Sequence, residues 1–153
     1  DGLDRMAGIP SELLVEAHGS FSDAHCIECR ARYDVEDIRN LILSEQADIP
    51  RCKTCDGLVK PDIVFFGEQL PDRFHELYPR DTREADLVIV AGTSLAVMPV
   101  GMLPNLVQRR IPRLLINRER SGSFGQRSND VLLLGEIEDT VSSLIDVLGW
   151  TEE

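Results

Sequence analysis

Leu87-Val88-Ile89-Val90-Ala91 is a short apolar run rich in β-branched residues, and it passes directly into Gly92-Thr93-Ser94. A run of this type with no polar interruption is what a strand buried on both faces of a parallel sheet requires. Around Pro71, the residues Leu70, Phe74, Leu77 and Tyr78 mark a helix face, which Pro79 is expected to end. Downstream, residues 99 to 110 read as a helix opened by Pro99, Leu114 to Ile116 as a second buried strand, and Val131 to Leu134 as a third. Ile137, Val141, Leu144, Ile145 and Leu148 then recur at helical spacing and stop at Gly149, a favourable C-cap. Strand, helix, strand, loop, strand, helix is the order of an α/β fold with a doubly wound parallel layer.

Ligands of such sheets bind at the carboxyl ends of the strands. There the first strand offers Gly92-Thr93-Ser94 and the second Asn117-Arg118-Glu119. Glycine permits close approach of the backbone, and amides at a following helix start can bind a phosphate. A carboxylate at the end of the second strand suits the hydroxyls of a ribose. An ordinary capped turn and a solvated loop explain the same residues equally well, and the dinucleotide fingerprint G-x-G-x-x-G is absent from the chain.

Between residues 20 and 60 the pattern changes. All four cysteines fall into two matched pairs, Cys26-Ile-Glu-Cys29 and Cys52-Lys-Thr-Cys55. Each Cys-x-x-Cys turn aims two sulfurs at one point, and two turns supply the tetrahedral set that zinc prefers. Disulfides or another thiophilic metal are the alternatives; four filled positions leave none open for water, so the ion would be structural. Gly57 suits the tight backbone of such a knuckle. Between the pairs, Val35, Ile38, Leu41 and Ile42 share a helical face, with Asp34 as N-cap and Asp37 at the third position.

The 153 residues, 42% of them hydrophobic, are long enough to bury a core without staples. Free thiols imply a reducing compartment, and no signal-peptide pattern or bilayer-length apolar run is present. Twenty-seven acidic against sixteen basic residues give a net charge of −11, which disfavours nucleic-acid backbones and anionic membranes and favours a basic peptide, or merely solubility. Of the three histidines, His18 in Val15-Glu16-Ala17-His18-Gly19 is suited to act as a general base, while His25 adjoins a complete cysteine set and His75 reads as exposed.

Taken in order, Asp1-Gly2-Leu3-Asp4, Val15 to Gly19, both cysteine pairs, Val59 to Glu68 (VKPDIVFFGE), Gly92 to Ser94, Leu114 to Glu119 (LLINRE) and Leu148-Gly149-Trp150 resemble the sirtuins, NAD-dependent protein deacylases. The VKPDIVFFGE stretch is most similar to the branch that includes the cytosolic and mitochondrial lysine deacetylases. The resemblance implies a Rossmann-like NAD-binding domain made of residues 1–19 and 61–153, and a zinc module spanning 20–60. It places the catalytic base on His18, which would help deprotonate a ribose hydroxyl while the acyl group passes from lysine to the cofactor ribose. The products are free lysine, nicotinamide and O-acyl-ADP-ribose.

By the same resemblance, Asp1 belongs to the nicotinamide pocket, Gly92, Thr93 and Ser94 contact the phosphate and ribose region, and Asn117, Arg118 and Glu119 hold the adenosine end. Ile137 stands where the family often has a cysteine beside the adenine. Val64, Phe65, Phe66, Gly67 and Glu68 are expected to accept the acyl-lysine peptide along a strand edge. The family's glycine-rich first segment has no counterpart ahead of Asp1, so this chain alone is expected to be inactive and the longer protein active. The implied partners are acylated lysine peptides, with no direct nucleic acid and no membrane, in an intracellular protein. Two other readings stay open: a non-catalytic, zinc-stabilised binding module, and a mono-ADP-ribosyltransferase.

Overall fold

The computed structural model describes residues 2–45 and 48–150. It divides into two compact units, Asp1–His75 and Glu76–Glu153.

The first unit opens with a single-turn helix α1 (Leu3–Met6) and continues through β1 (Gly19–Cys26), β2 (Arg32–Tyr33), α2 (Val35–Leu43) and β3 (Val59–Ile63). The three strands form an antiparallel sheet in the order β2-β1-β3, with an irregularity in the β1–β3 register between Gly19 and Ala24. The inner face of β1 is carried by Ser20, Ala24 and Cys26. Asp34 caps α2 as its sequence suggests, its carboxylate accepting from the Glu36 amide at 2.8 Å. Of the four apolar residues expected on one face of α2, Ile38 is fully committed to a core with Ala24, Cys26, Cys52 and Val59, whereas Leu41 and Ile42 stay exposed.

Helix α3 spans Asp72–Glu84, so Pro79 lies inside it instead of ending it. Proline removes one hydrogen bond to the preceding turn but does not prevent the next residues from resuming the helix. The Ala85 amide donates to Asp81 O at 2.9 Å and closes the last turn.

In the second unit β4 (Val88–Ala91), β5 (Arg113–Asn117) and β6 (Asp130–Leu134) form a parallel sheet in that order, pairing Val90 with Leu115 and Leu115 with Leu132. Val90, Leu115 and Phe124 make its core, with Val88, Leu95 and Leu132 packed on them. The helix expected over 99–110 is shorter: a 3₁₀ turn at Val100–Met102 leads into α4 (Leu103–Leu106). Val107 adopts extended backbone and is buried, as is Ile111, so this segment gains more by turning two apolar side chains inward than by continuing the helix. Helix α5 (Ile137–Leu148) ends as expected on Gly149, whose φ of 66° lets its amide reach Asp146 O and that of Trp150 reach Ile145 O. Among the described residues no helix is long and apolar enough to cross a membrane.

Candidate functional site

In the first unit the four cysteines converge: their Sγ atoms all lie within 4.8 Å of one another. Cys26 ends β1 and Cys52 follows the Arg51–Leu58 bridge, so the sheet brings the two knuckles face to face. Each knuckle is closed by an amide donating to the carbonyl of its first cysteine, from Arg30 to Cys26 O at 3.1 Å and from Asp56 to Cys52 O at 2.9 Å. Arg30 and Asp56 hold matching left-handed φ values of 60° and 59°. The glycine expected to bend the second knuckle therefore serves otherwise. Gly57 has no positive φ, but a Cβ there would lie 2.8 Å from Glu28 Cγ and 3.1 Å from Cys26 Sγ, so its value is the space it leaves beside the sulfur.

Cys26 and Cys55 are 3.5 Å apart at Sγ and Cys29 and Cys52 are 3.6 Å apart, too far for disulfides; all four thiols are free. A tetrahedron with zinc–sulfur bonds of about 2.3 Å has sulfurs about 3.8 Å apart, so the donor set fits that ion in softness, number and spacing. Electrostatics point the same way. The Tyr33 hydroxyl, donating at 3.2 Å, holds the Cys52 thiol well below its ordinary range, and the Cys29 and Glu28 backbone amides lower Cys26. Cys55 goes the other way: against the help of the Gly57 amide, the nearby Cys26 and Cys29 sulfurs push it up. Four sulfurs this close cannot all ionise unless a cation offsets their charge.

His18 is exposed and immediately precedes β1. Its carbonyl accepts from the Val64 amide at 2.9 Å, so the histidine and the start of the Val64–Glu68 segment are neighbours across the β1–β3 pairing. Gly19 makes this approach possible: its φ is 72°, and a Cβ there would stand 1.8 Å from Asp62 O. Past β3, the segment from Val64 to Glu68 is a loop with a turn instead of a continued strand. Phe65 and Phe66 are both exposed, so neither is a core residue. Glu68 ties the loop together, accepting from the Phe65 amide at 2.8 Å and pairing with Lys60 at 3.1 Å; these two donors lower its pKa. His25 donates to or accepts from no sulfur, its Nδ1 lying 2.9 Å from the Asp62 carboxylate, and His75 is exposed as expected.

In the second unit, the ends of β4 and β5 and the start of α5 enclose a pocket of about 420 Å³ lined by Gly92, Thr93, Ser94, Asn117, Glu119 and Ile137. Gly92 has a φ of 64°, and a Cβ there would come within 3.0 Å of Ile137 Cδ1. Asn117 Nδ2 braces the floor by donating to Glu119 O and Ser121 Oγ at 2.9 and 2.8 Å. Arg118 also lines the pocket and pairs at 2.8 Å with Glu136, which raises the arginine's pKa. No regular helix starts directly after Ser94. The Leu95 and Ala96 amides donate to the Thr93 and Ser94 hydroxyls, so the expected helix-start amides are replaced by hydroxyl-capped turns. Asp1 lies outside the described residues.

The sequence model of the Sir2 family matches residues 1–99. The chain belongs to the Sir2 family. It is 46% identical over its whole length to the NAD-dependent protein deacetylase hst2 of Schizosaccharomyces pombe, covering 46% of that protein. It is 50% identical to the NAD-dependent protein deacetylase sirtuin-3 of Mus musculus (100% of this chain, 46% of the relative). To sirtuin-2 of Danio rerio it is 42% identical (100% and 45%). This Sir2-family chain thus spans about half the length of the curated relatives it matches. Tyr33, Lys60 and Glu136 join the sites without having been singled out in the sequence: Lys60 lies within the VKPDIVFFGE stretch and Glu136 one position ahead of Ile137, while nothing around Tyr33 marks it.

Proposed function

We propose that the protein containing this chain is an NAD-dependent protein lysine deacetylase, acting inside the cell on acylated lysine peptides, with neither nucleic acid nor membrane as a partner. The observation that carries the reading is the joining of Gly92–Ser94, Asn117–Glu119 and Ile137 around one strand-end pocket in a chain of this family. NAD, when bound, supplies a ribose carbon activated by its nicotinamide leaving group. The residues of that pocket would hold it by backbone approach at Gly92, hydroxyls at Thr93 and Ser94, and the Glu119 carboxylate, with Arg118 at the rim. Asp1 would contribute to the nicotinamide side.

His18 is proposed as the base that takes a proton from a ribose hydroxyl, a role suited to an exposed imidazole. Val64, Phe65, Phe66, Gly67 and Glu68 would receive the peptide, the loop tied together by the Lys60–Glu68 pair and the two exposed phenylalanines offering apolar surface to an acyl-lysine stem. Cys26, Cys29, Cys52 and Cys55 would bind zinc, which keeps 20–60 folded and takes no part in the chemistry; residues 1–19 and 61–153 would form the NAD-binding domain.

The intact protein, given NAD and an acetyl-lysine peptide, should release free lysine and an O-acetyl-ADP-ribose detectable by mass. ADP-ribosylated peptide would indicate the transferase reading, and no product the binding-module reading. His18→Ala should abolish turnover while NAD binding, measured by calorimetry, survives; near-normal turnover removes His18 from the mechanism.

A further inference from the structure

One side chain from outside the two knuckles reaches the four-sulfur cluster. Tyr33, half-buried on β2, pairs with Ala24 of β1 and packs on the core that contains Cys26 and Cys52. Its hydroxyl lies 3.2 Å from Cys52 Sγ and 2.7 Å from the Lys53 amide nitrogen. Chemistry fixes the direction of both bonds. The Lys53 N–H can only donate, so the hydroxyl oxygen accepts there. The single phenolic proton is left for the sulfur, and a metal-bound thiolate has no proton of its own to give back.

The Thr54 amide donates to the same sulfur at 3.4 Å, but from within the second knuckle. Tyr33 comes from elsewhere. It lies on β2, which follows the first knuckle, whereas Cys52 and Lys53 belong to the second. One hydroxyl therefore ties the two knuckles together without using the ion, and it does so at a buried ligand. A hydrogen bond to a metal-bound sulfur orients that ligand and offsets part of its charge. Loss of such an outer partner typically lowers metal affinity about 10- to 100-fold.

We propose that Tyr33 is a positioning residue of the metal centre, its hydroxyl holding the Cys52 thiolate in the geometry that retains zinc. This role rests on the reading of the four cysteines as zinc ligands, and it assigns part of the retention to a group outside the ligand set. Removing the oxygen alone leaves the ring to pack. Lys53 is exposed, so water can take up its freed amide.

Tyr33→Phe in the intact protein should still bind about one equivalent of metal. With cobalt in place of zinc, its d–d bands should remain those of a tetrahedral four-sulfur site. Zinc affinity, measured by competition with a chromogenic chelator, should fall about tenfold or more, about 1.4 kcal/mol. The sulfur-to-cobalt charge-transfer band should move to lower energy, because the sulfur lone pairs lose a stabilising proton, and a change of packing alone would not move it. Unchanged affinity overturns the proposal, and so does an unmoved charge-transfer band. Loss of the tetrahedral d–d bands in the variant overturns it too, since Tyr33 would then serve the fold of the unit and not one ligand. Wild-type protein that takes up neither zinc nor cobalt would remove the zinc reading itself, and this role with it.

Discussion

Asp130 accepts four hydrogen bonds, two from the Arg113 guanidinium and one each from the Gly125 and Arg127 amides. The Arg113 bonds, with the two amides, hold its carboxyl down to about 2, against an ordinary 3.8. Because the folded-state value is depressed, this group's contribution to stability is fully present above pH 4 and is lost as pH falls from about 4 toward 2. Urea unfolding of Asp130→Asn should show about 3–5 kcal/mol less stability at neutral pH, because Arg113 is left buried and unpaired. The same variant should show a shallower fall between pH 4 and 2, since Glu68 and Glu16, also held down, keep their own shares; if it falls as steeply as the wild type, Asp130 is not a titrating group of that fall. This pair was illegible in the sequence. The two residues are seventeen positions apart with no periodic relation, and a buried arginine contradicts its usual surface role. The cysteines were legible because their chemistry requires close spacing within each knuckle, and Gly149 because only a left-handed residue ends such a helix cleanly.

At the scale of the element, uninterrupted apolar runs located β4, β5 and β6 and helical apolar spacing located α2 and α5, although of these apolar side chains only Val90, Leu115, Ile116 and Ile38 are fully buried and those of β6 and α5 are at most half-buried. β1 escaped because its inner face is Ser20, Ala24 and Cys26, residues too small to make a hydrophobic alternation. The helix read over 99–110 from Pro99 stops short because Val107 and, just beyond it, Ile111 are buried by way of a turn, the Ile111 amide donating to Gln108 O at 3.0 Å. Pro79 misled in the opposite sense. It is exposed inside α3, where the proline ring lacks the amide that a helix interior uses. Replacing it with alanine restores that bond and removes the clash with the preceding turn, so Pro79→Ala should stabilise the protein by up to about 3 kcal/mol. A thermal melt checks it: an unchanged or lowered midpoint would mean that the helix is distorted at residue 79 in a way alanine does not relax.

For the molecule as a whole, the two units owe their cores to different chemistry, and metal removal should separate them. In the first unit Cys26 and Cys52 are themselves members of the small buried core with Ala24, Ile38 and Val59. An ion linking all four sulfurs would thus fasten the sheet and α2 through the same atoms that fill the interior. Structural zinc in small domains contributes on the order of 10 kcal/mol, as large as the entire stability of many domains, so this core should not survive its loss. The second unit contains no cysteine; Val90, Leu115 and Phe124, together with the Arg113–Asp130 pair, hold it without a metal. Treating the protein with a strong chelator, then following amide hydrogen exchange, should release about one equivalent of zinc. Protection should collapse at Ala24–Cys26, along Val35–Leu43 and at Val59, while Arg113–Asn117 and Asp130–Leu134 exchange as slowly as before. Collapse of both sets together would show that the units unfold as one cooperative body, and retention of both would show that the four cysteines fold their unit without a metal.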